Sequence, residues 1–282
     1  MKKICSGIFL MLIVILTSIT TATAASSQLK VDGMTVQTDV KPEIKNNRTM
    51  VPLRVISENL GAKVHWSDGQ VILTQSEMKV SLKLNSSKAT VNGKTVLLDA
   101  KPYLKNGRTI VPLRFLAETF GCKVHYDHLT ISIDTEPLMI KGVEVKALLH
   151  EYHMTMGGVV EQINGNAYME EMHRIFTKNM GKKIKQPNDY TWSVHSTVIG
   201  GYYKMGQYDF LNKEGSSIAR YDLYSLVQSS DKPLTGQPDV LIYDATVDQW
   251  YEFNKTASDA IYSLMETATR NGFVTVISNT VP

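Results

Sequence analysis

The run Val51-Pro52-Leu53-Arg54 recurs letter for letter as Val111-Pro112-Leu113-Arg114, sixty residues further along the chain. The match extends outward from this run on both sides without a gap, over about forty positions, which indicates a duplication in which each copy is one structural unit. The other matching pairs are Asp32-Gly33 with Asn92-Gly93, Lys41-Pro42 with Lys101-Pro102, Arg48-Thr49 with Arg108-Thr109, Gly61 with Gly121, and Lys63-Val64-His65 with Lys123-Val124-His125.

Each copy is interpreted as a few antiparallel strands around one short helix. The turns at Asp32-Gly33 and Asn92-Gly93 predict a hairpin in each copy, because these residues tolerate positive φ. The repeated proline suits the first helical turn, and Gly61 and Gly121 suit the left-handed position after the helix. Helical spacing predicts the buried helix faces. Their members are Leu53, Ile56 and Leu60 in the first copy, and Leu113, Leu116 and Phe120 in the second.

This order of turn, repeated run, capped helix and G-x-K-V-H-aromatic strand resembles the copper amine oxidase N-terminal domain family, over residues 29–135. The resemblance implies a stalk module that stands apart from catalytic machinery. In that family it occurs in tandem in secreted proteins of Gram-positive bacteria, joined to varied C-terminal domains. The cofactor-forming tyrosine of amine oxidases follows an asparagine, whereas this sequence contains no Asn-Tyr pair. We therefore expect no copper, no other cofactor and no amine oxidation.

The repeated arginines admit a structural and a ligand-binding interpretation. Arg54 and Arg114 stand four residues before a repeated glutamate, which favours salt bridges along each helix. Arg48 and Arg108 lie in polar loops, where contacts with carbonyl groups are expected. For Arg48 and Arg108 a ligand-binding role remains open.

The N-terminal residues predict export. Lys2 and Lys3 precede an uncharged apolar run, and Ala22-Thr23-Ala24 gives the small-x-small pattern that signal peptidase accepts. We expect residues 1–24 to form a cleaved signal peptide; an uncut membrane anchor is the alternative, but the run is shorter than the roughly 20 residues of a spanning helix. The mature protein is predicted to be secreted or associated with the cell envelope, and to meet a membrane only through the signal peptide.

The charge balance argues against a nucleic-acid-binding protein, and the cysteine content argues against a protein held together by disulfides. The chain carries 30 basic and 27 acidic residues, and without Lys2 and Lys3 the net charge is 28 minus 27, or +1. Such a balance argues against binding to nucleic acid. Cys122 is the one cysteine left after the predicted cleavage, so no intramolecular disulfide is expected. It takes the place of Ala62 in the other copy, which favours a small packed residue.

Beyond Glu136 the repeat ends, and residues 137–282 predict a separate α+β domain. Asn166 is expected to cap a helix that runs to Met180, and Asn254 or Ser258 a second helix that ends near Arg270. Strands are predicted over residues 190–199, 208–211, 218–226, 240–243, 250–253 and 273–277.

No catalytic constellation is recognised in this second domain, and His150 and His153 are weak metal candidates. The zinc-protease pattern H-E-x-x-H is not met, because the second histidine comes one position too early. On a helix the two side chains would share a face, whereas on a strand they would point to opposite faces.

Aromatic residues interleave with polar ones in the same domain. Rings with a polar tip suit sugars or peptides, which makes Trp192, Tyr202, Tyr203 and Trp250 candidate binding residues. The alternative is that antiparallel sheets are simply rich in aromatic residues.

These observations favour an exported, non-enzymatic protein whose repeats present or dock a C-terminal binding domain, with a cell-wall glycan or a surface protein as partner. The alternative is a small secreted hydrolase that uses His150, Glu151, His153 or His195, with or without a metal. A purely structural dimerisation module is a third interpretation.

Overall fold

The computed structural model describes residues 28–195, 198–229 and 234–282, so the predicted signal peptide of residues 1–24 lies outside the described residues. The first copy contains β1 (Gln28–Val31), β2 (Met34–Thr35), β3 (Glu43–Lys45), β4 (Arg48–Pro52), α1 (Leu53–Asn59), β5 (Lys63–Ser67), β6 (Gln70–Gln75) and β7 (Met78–Lys83). The second copy contains β8 (Lys88–Val91), β9 (Lys94–Leu97), β10 (Tyr103–Lys105), β11 (Arg108–Pro112), α2 (Leu113–Thr119), β12 (Lys123–Asp127) and β13 (Thr130–Asp134).

The two copies exchange their first hairpins. Strands β1 and β2 join the second copy in the order β12-β13-β1-β2, and β8 and β9 extend the first copy in the order β5-β6-β7-β8-β9. β1 and β13 pair directly and in parallel, whereas β7 lies between the corresponding strands β6 and β8. Each copy therefore completes a sheet of the other. The predicted α+β class is confirmed, but the sequence did not indicate this exchange.

A pseudo-twofold axis relates the copies. The central sheet has the order β10-β11-β4-β3, and Val51 faces Val111 at its middle, so identical positions of the two copies meet. Both valines are fully buried. The repeated run thus builds one shared core from both sides of this axis.

The repeat helices end as their glycines predict. Gly61 and Gly121 have φ of +86° and +67°, and the amide of Ala62 donates to the carbonyl oxygen of Ser57 at 2.8 Å, which closes a Schellman motif. Pro52 lies one position earlier than expected: it ends β4 and directly precedes the helix. Its fixed φ still suits that entry.

The C-terminal region is a large, mostly antiparallel sheet with its longer helices on one face. Its elements are β14 (Met139–Ile140), β15 (Val143–Glu144), β16 (Ala147–His153), β17 (Gly158–Ile163), α3 (Asn166–Asn179), β18 (Met180–Ile184), β19 (Tyr190–Thr191), β20 (Tyr202–Leu211), β21 (Ser217–Leu226), β22 (Val240–Asp244), β23 (Gln249–Phe253), α4 (Lys255–Arg270) and β24 (Val274–Asn279). The large sheet has the order β18-β23-β22-β21-β20-β16-β17-β24, with β19 beside β20. None of the described helices combines the length and apolarity needed to cross a membrane.

The capping residues in the sequence predicted the start of α4 correctly, but they predicted the end of α3 incorrectly. Asn254 caps α4, since its side chain accepts the amide N–H of Ala257 at 2.6 Å. Helix α3 begins at Asn166 but runs directly into β18, so Gly181, expected just past the helix end, lies inside a strand. Of the strand predicted over residues 190–199, the described part is extended at β19 and irregular after it.

Asp32 links the repeats to the C-terminal domain. Its carboxylate accepts the amide N–H of Asn166 at 2.8 Å and two hydrogen bonds from Thr135 at 2.8 and 2.9 Å. Gly165, at the cap position of α3, has no side chain to satisfy the helix start, so Asp32 supplies the acceptor and the favourable negative charge. Buried apolar residues of both parts also form one continuous cluster.

A polar cluster, here called the junction cluster, lies at this contact and consists of Glu58, Asn59, Tyr168, Arg270 and Asn271. The hydroxyl of Tyr168 in α3 donates to Oδ1 of Asn59 in α1 at 2.7 Å, and Nδ2 of Asn271 lies 3.1 Å from the same oxygen. Glu58 accepts from Asn271 and Arg270, both at 3.2 Å. Burial raises the pKa of Tyr168, which keeps its hydroxyl a donor. The repeats and the C-terminal domain are thus joined by the buried residues Asn59, Tyr168 and Asn271, with the exposed Arg270 at the edge of the cluster.

Replacing Tyr168 by phenylalanine should lower the free energy of unfolding by about 1–3 kcal/mol, because the buried oxygen of Asn59 loses a donor. Denaturation in urea measures the change. Tyr126→Phe is the matched control, since that ring is 63% exposed on the second copy. Equal stabilities of the two variants would show that the junction cluster contributes nothing.

Candidate binding sites

Arg48 and Arg108 form ion pairs that cross between the copies. Nε of Arg48 lies 2.5 Å from Asp99, and Arg108 contacts both oxygens of Asp39 at 3.1 and 3.2 Å. Asp39 and Asp99 stand sixty residues apart, so the two pairs are related by the pseudo-twofold axis. The hydrogen bond from Arg108 lowers the pKa of Asp39. Both arginines therefore have a structural role at the seam. Arg48 also donates to the carbonyl oxygen of Asn47 at 3.1 Å, which is the kind of contact the sequence predicted, whereas the ion pairs between the copies were not predicted.

The prediction of a salt bridge along each repeat helix is wrong. Glu58 pairs with Arg270 of α4 at 3.2 Å, and Arg114 lies 3.9 Å from Asp99. Among the ion pairs of the described residues, none joins Arg54 to Glu58. The helical spacing is present, but partners from other elements approach these charges.

The candidate aromatic residues lie on both faces of the large sheet. Tyr202 and Trp250 are 6% and 5% exposed, inside a small core on the face opposite the helices. Both rings pack inside this core instead of lining a groove, which argues against the prediction that they bind a ligand. Tyr203 is half-buried and lies towards α4, where burial and then this neighbour raise the pKa of Tyr262.

Trp192 covers a buried ion pair on the face opposite the helices. Nζ of Lys204 lies 2.5 Å from Asp222, with both side chains 3% exposed, and donates to Gln207 at 2.9 Å. The same nitrogen lies 3.8 Å from the centre of the Trp192 ring. Burial lowers the pKa of Lys204 against the opposing effect of Asp222. Since a carboxylate, an amide and a ring already contact the ammonium group, the pair anchors Trp192 instead of offering a reactive amine.

His150 and His153 lie on β16 and face opposite sides of the sheet. His153 is 3.2 Å from Glu151, and its ring stacks on Trp192 at 4.2 Å. His150 is buried on the helix side, 3.3 Å from Glu161. Within the described residues, no group of three or more His, Cys, Asp or Glu side chains is placed to hold a metal ion.

A groove of about 550 Å³ opens between α4 and the helix side of the sheet, and we call it the α4 groove. Its size is that of a small-molecule site. The His150–Glu161 pair lies in it, and most of its other walls are apolar. Its lining residues are His150, Tyr152, Glu161, Met205, Tyr262, Met265, Glu266, Thr269 and Arg270.

The local backbone explains how these side chains meet. The register between β20 and β21 shifts between Lys204 and Gly206, so Met205 is an extra residue. Its sulfur lies 3.5 Å from the hydroxyl of Tyr262. A Cβ on Gly206 would lie 2.8 Å from Nε2 of His150, so only glycine leaves room for that ring. His150 in turn stacks on Tyr208, with ring centres 4.5 Å apart.

Sequence reasoning singled out His150 but missed its neighbours. Met205 lies on β20, and Tyr262 and Met265 lie on α4, so these residues are far from His150 in the chain. The lysine and aspartate of the buried pair were also missed. The sequence feature that could have indicated this pair is a charged residue inside each of two strands that are rich in aromatic residues.

The comparisons with known proteins concern the repeats. Residues 30–135 match the family model of the copper amine oxidase N-terminal domain. The resemblance inferred from the repeated motifs is thus confirmed over this range. No curated protein and no solved structure matched the chain. The crossing Arg–Asp pairs and most of the exchanged hairpins lie within the residues that match this family model.

The copper amine oxidase N-terminal domain is a non-catalytic part of amine oxidases. Its presence is compatible with a stalk-like role of residues 30–135. Here, however, it is packed against the C-terminal domain through Asp32 and the junction cluster.

Proposed function

We propose that this protein is an exported, non-enzymatic binding protein whose C-terminal domain takes its ligand in the α4 groove. The observation that carries the proposal is the groove itself: a volume of about 550 Å³ with apolar walls and a few convergent polar groups. That combination is the usual character of a small-molecule site. The function of the copper amine oxidase N-terminal domain would be to dock and present this domain.

The lining favours a ligand with an apolar body and a cationic head, because Glu161 and Glu266 both line the groove and its arginine, Arg270, pairs with Glu58. Tyr152 and Tyr262 offer ring faces, and Met205 and Met265 offer polarisable sulfur. Glu161 adds a carboxylate that is held by His150 but still partly exposed. A cation beside aromatic rings and a carboxylate is favoured where water is partly excluded. An alkylammonium group, free or on a partner protein, has this chemistry.

Export remains a proposal that rests on the sequence of residues 1–24. N-terminal sequencing of the protein released by a secreting host tests it directly. A mature chain that starts at Ala25 supports cleavage after Ala24. A retained Met1 in the membrane fraction would favour the uncut anchor.

The alternative is a secreted hydrolase built on the same histidines. The His150–Glu161 and His153–Glu151 pairs lie on opposite faces of the sheet, so they do not converge on one substrate. This geometry favours the binding function. Stoichiometric zinc or copper in the purified protein would contradict it.

Calorimetric titration with n-hexylammonium, n-hexanol and hexanoate tests the ligand class, because the three probes share one alkyl chain. We expect hexylammonium to bind on the order of millimolar, hexanol more weakly and hexanoate least. Glu161→Gln should remove the preference for the ammonium group while leaving the apolar contribution. The matched control is Glu151→Gln, since that carboxylate also pairs with a histidine but on the other face. Equal affinities for the three probes would contradict the assignment.

A further inference from the structure

A second groove lies at the seam of the repeats and shares Arg270, at the end of α4, with the α4 groove. It has a volume of about 460 Å³ and lies where α1, the turn before β11 and the end of α4 meet. Trp66 lines it and keeps 40% of its surface exposed. We call it the seam groove. A cavity of this size with an exposed ring suits a small ligand.

Three arginines from separate elements line the seam groove. Arg108 is held by Asp39, and Arg270 is held by Glu58 at 3.2 Å. Arg54 projects from α1, is exposed, and enters none of the ion pairs recorded for the described residues. Its planar fork is therefore available to a carboxylate or phosphate, which it can bind through two parallel hydrogen bonds.

The pseudo-twofold axis supplies an internal comparison. The corresponding groove of the second copy has a volume of about 340 Å³. Its arginine, Arg114, lies 3.9 Å from Asp99, and Leu97 and Leu98 replace the polar Gln37 and Thr38. The first copy alone therefore combines a free guanidinium group, an exposed indole and polar walls.

We propose that the seam groove binds an acidic saccharide. Arg54 would take the carboxylate, the ring would stack on Trp66, and the polar walls at Gln37 and Thr38 would meet hydroxyl groups. An acidic peptide would satisfy the arginine but would leave the indole and the polar walls without a matching partner. Arg54 and Trp66 do not line the α4 groove, so this proposal can be tested separately from the proposed function.

Calorimetric titration of the full mature chain with trigalacturonate and maltotriose tests the proposal. Trigalacturonate should bind, maltotriose should bind at least roughly tenfold more weakly, and added salt should weaken the acidic sugar further. Arg54→Gln and Trp66→Ala should each reduce trigalacturonate affinity roughly tenfold or more. Arg114→Gln is the matched control at the twofold position and should leave affinity unchanged. Circular dichroism confirms that every variant is folded.

Several outcomes would overturn the proposal. They are equal binding of the two trisaccharides, an equal loss in Arg54→Gln and Arg114→Gln, or no binding at all. Tighter binding of a triglutamate peptide than of trigalacturonate would assign the groove to acidic peptides instead. Unchanged hexylammonium binding in Arg54→Gln would separate this result from the α4 groove.

Discussion

Asp222→Ala is expected to lower the free energy of unfolding of the C-terminal domain by about 3–5 kcal/mol. The variant would leave the ammonium group of Lys204 in a site that is 3% exposed, without the carboxylate that lies 2.5 Å away. A buried charge without its partner is strongly unfavourable. Trp192 packs on the same ammonium group, so its environment should change as well. Urea denaturation followed by tryptophan fluorescence measures both effects.

A double variant distinguishes the effect of the charges on Lys204 and Asp222 from the effect of their side-chain packing. Lys204→Met with Asp222→Leu removes both buried charges and should recover most of the stability, because an apolar pair of similar size needs no desolvation. Arg220, which also contacts Asp222 at 3.3 Å, is 37% exposed and keeps access to water. Asp259→Ala is the surface control: it breaks an exposed pair with Lys255 and should cost under about 1 kcal/mol. A double variant as unstable as Asp222→Ala would contradict this explanation.

Leu113→Ala is expected to destabilise both copies of the repeat, although only the second copy is changed. Leu113 is fully buried, and its truncation should cost about 2–5 kcal/mol. Because β1 pairs with β13 and the central sheet joins β4 to β11, the copies should unfold together. Hydrogen exchange should therefore accelerate at Leu29 and Val31 as much as at Ile131 and Ile133.

The control for this experiment is Leu129→Ala, a leucine that is 50% exposed in the same copy. It should leave exchange in both copies nearly unchanged, as surface substitutions usually do. Independent copies would behave differently: β12 and β13 would lose protection in Leu113→Ala while the first copy kept its own. That pattern would contradict the exchanged-hairpin architecture.

Local features of the repeats could be predicted because they depend on nearby residues. The Asp32-Gly33 and Asn92-Gly93 turns have positive φ at all four residues, and Gly61 ends its helix in a left-handed conformation. The exchange of hairpins could not be predicted. Both copies carry nearly the same strands, so pairing within a copy and between copies satisfies the same local pattern.

The sites depend on contacts that sequence patterns do not contain. Strand alternation indicated which faces His150 and His153 would take, but the bulge at Met205 shifts the alternation along β20. Lys204 and Tyr202 consequently lie on one face, and Tyr208 on the other. The α4 groove also needs Tyr262 and Met265 from a helix whose docking position only the tertiary fold defines.

The most direct test of the proposed binding function is a titration of methyl-¹³C-methionine protein with n-hexylammonium, followed by NMR. Met205 and Met265 line the α4 groove, whereas Met50 and Met172 are buried in the cores. Binding in the α4 groove should give saturable shifts of the Met205 and Met265 methyl signals, with those of Met50 and Met172 unchanged. Shifts confined to exposed methionines such as Met154, or none at all, would contradict it.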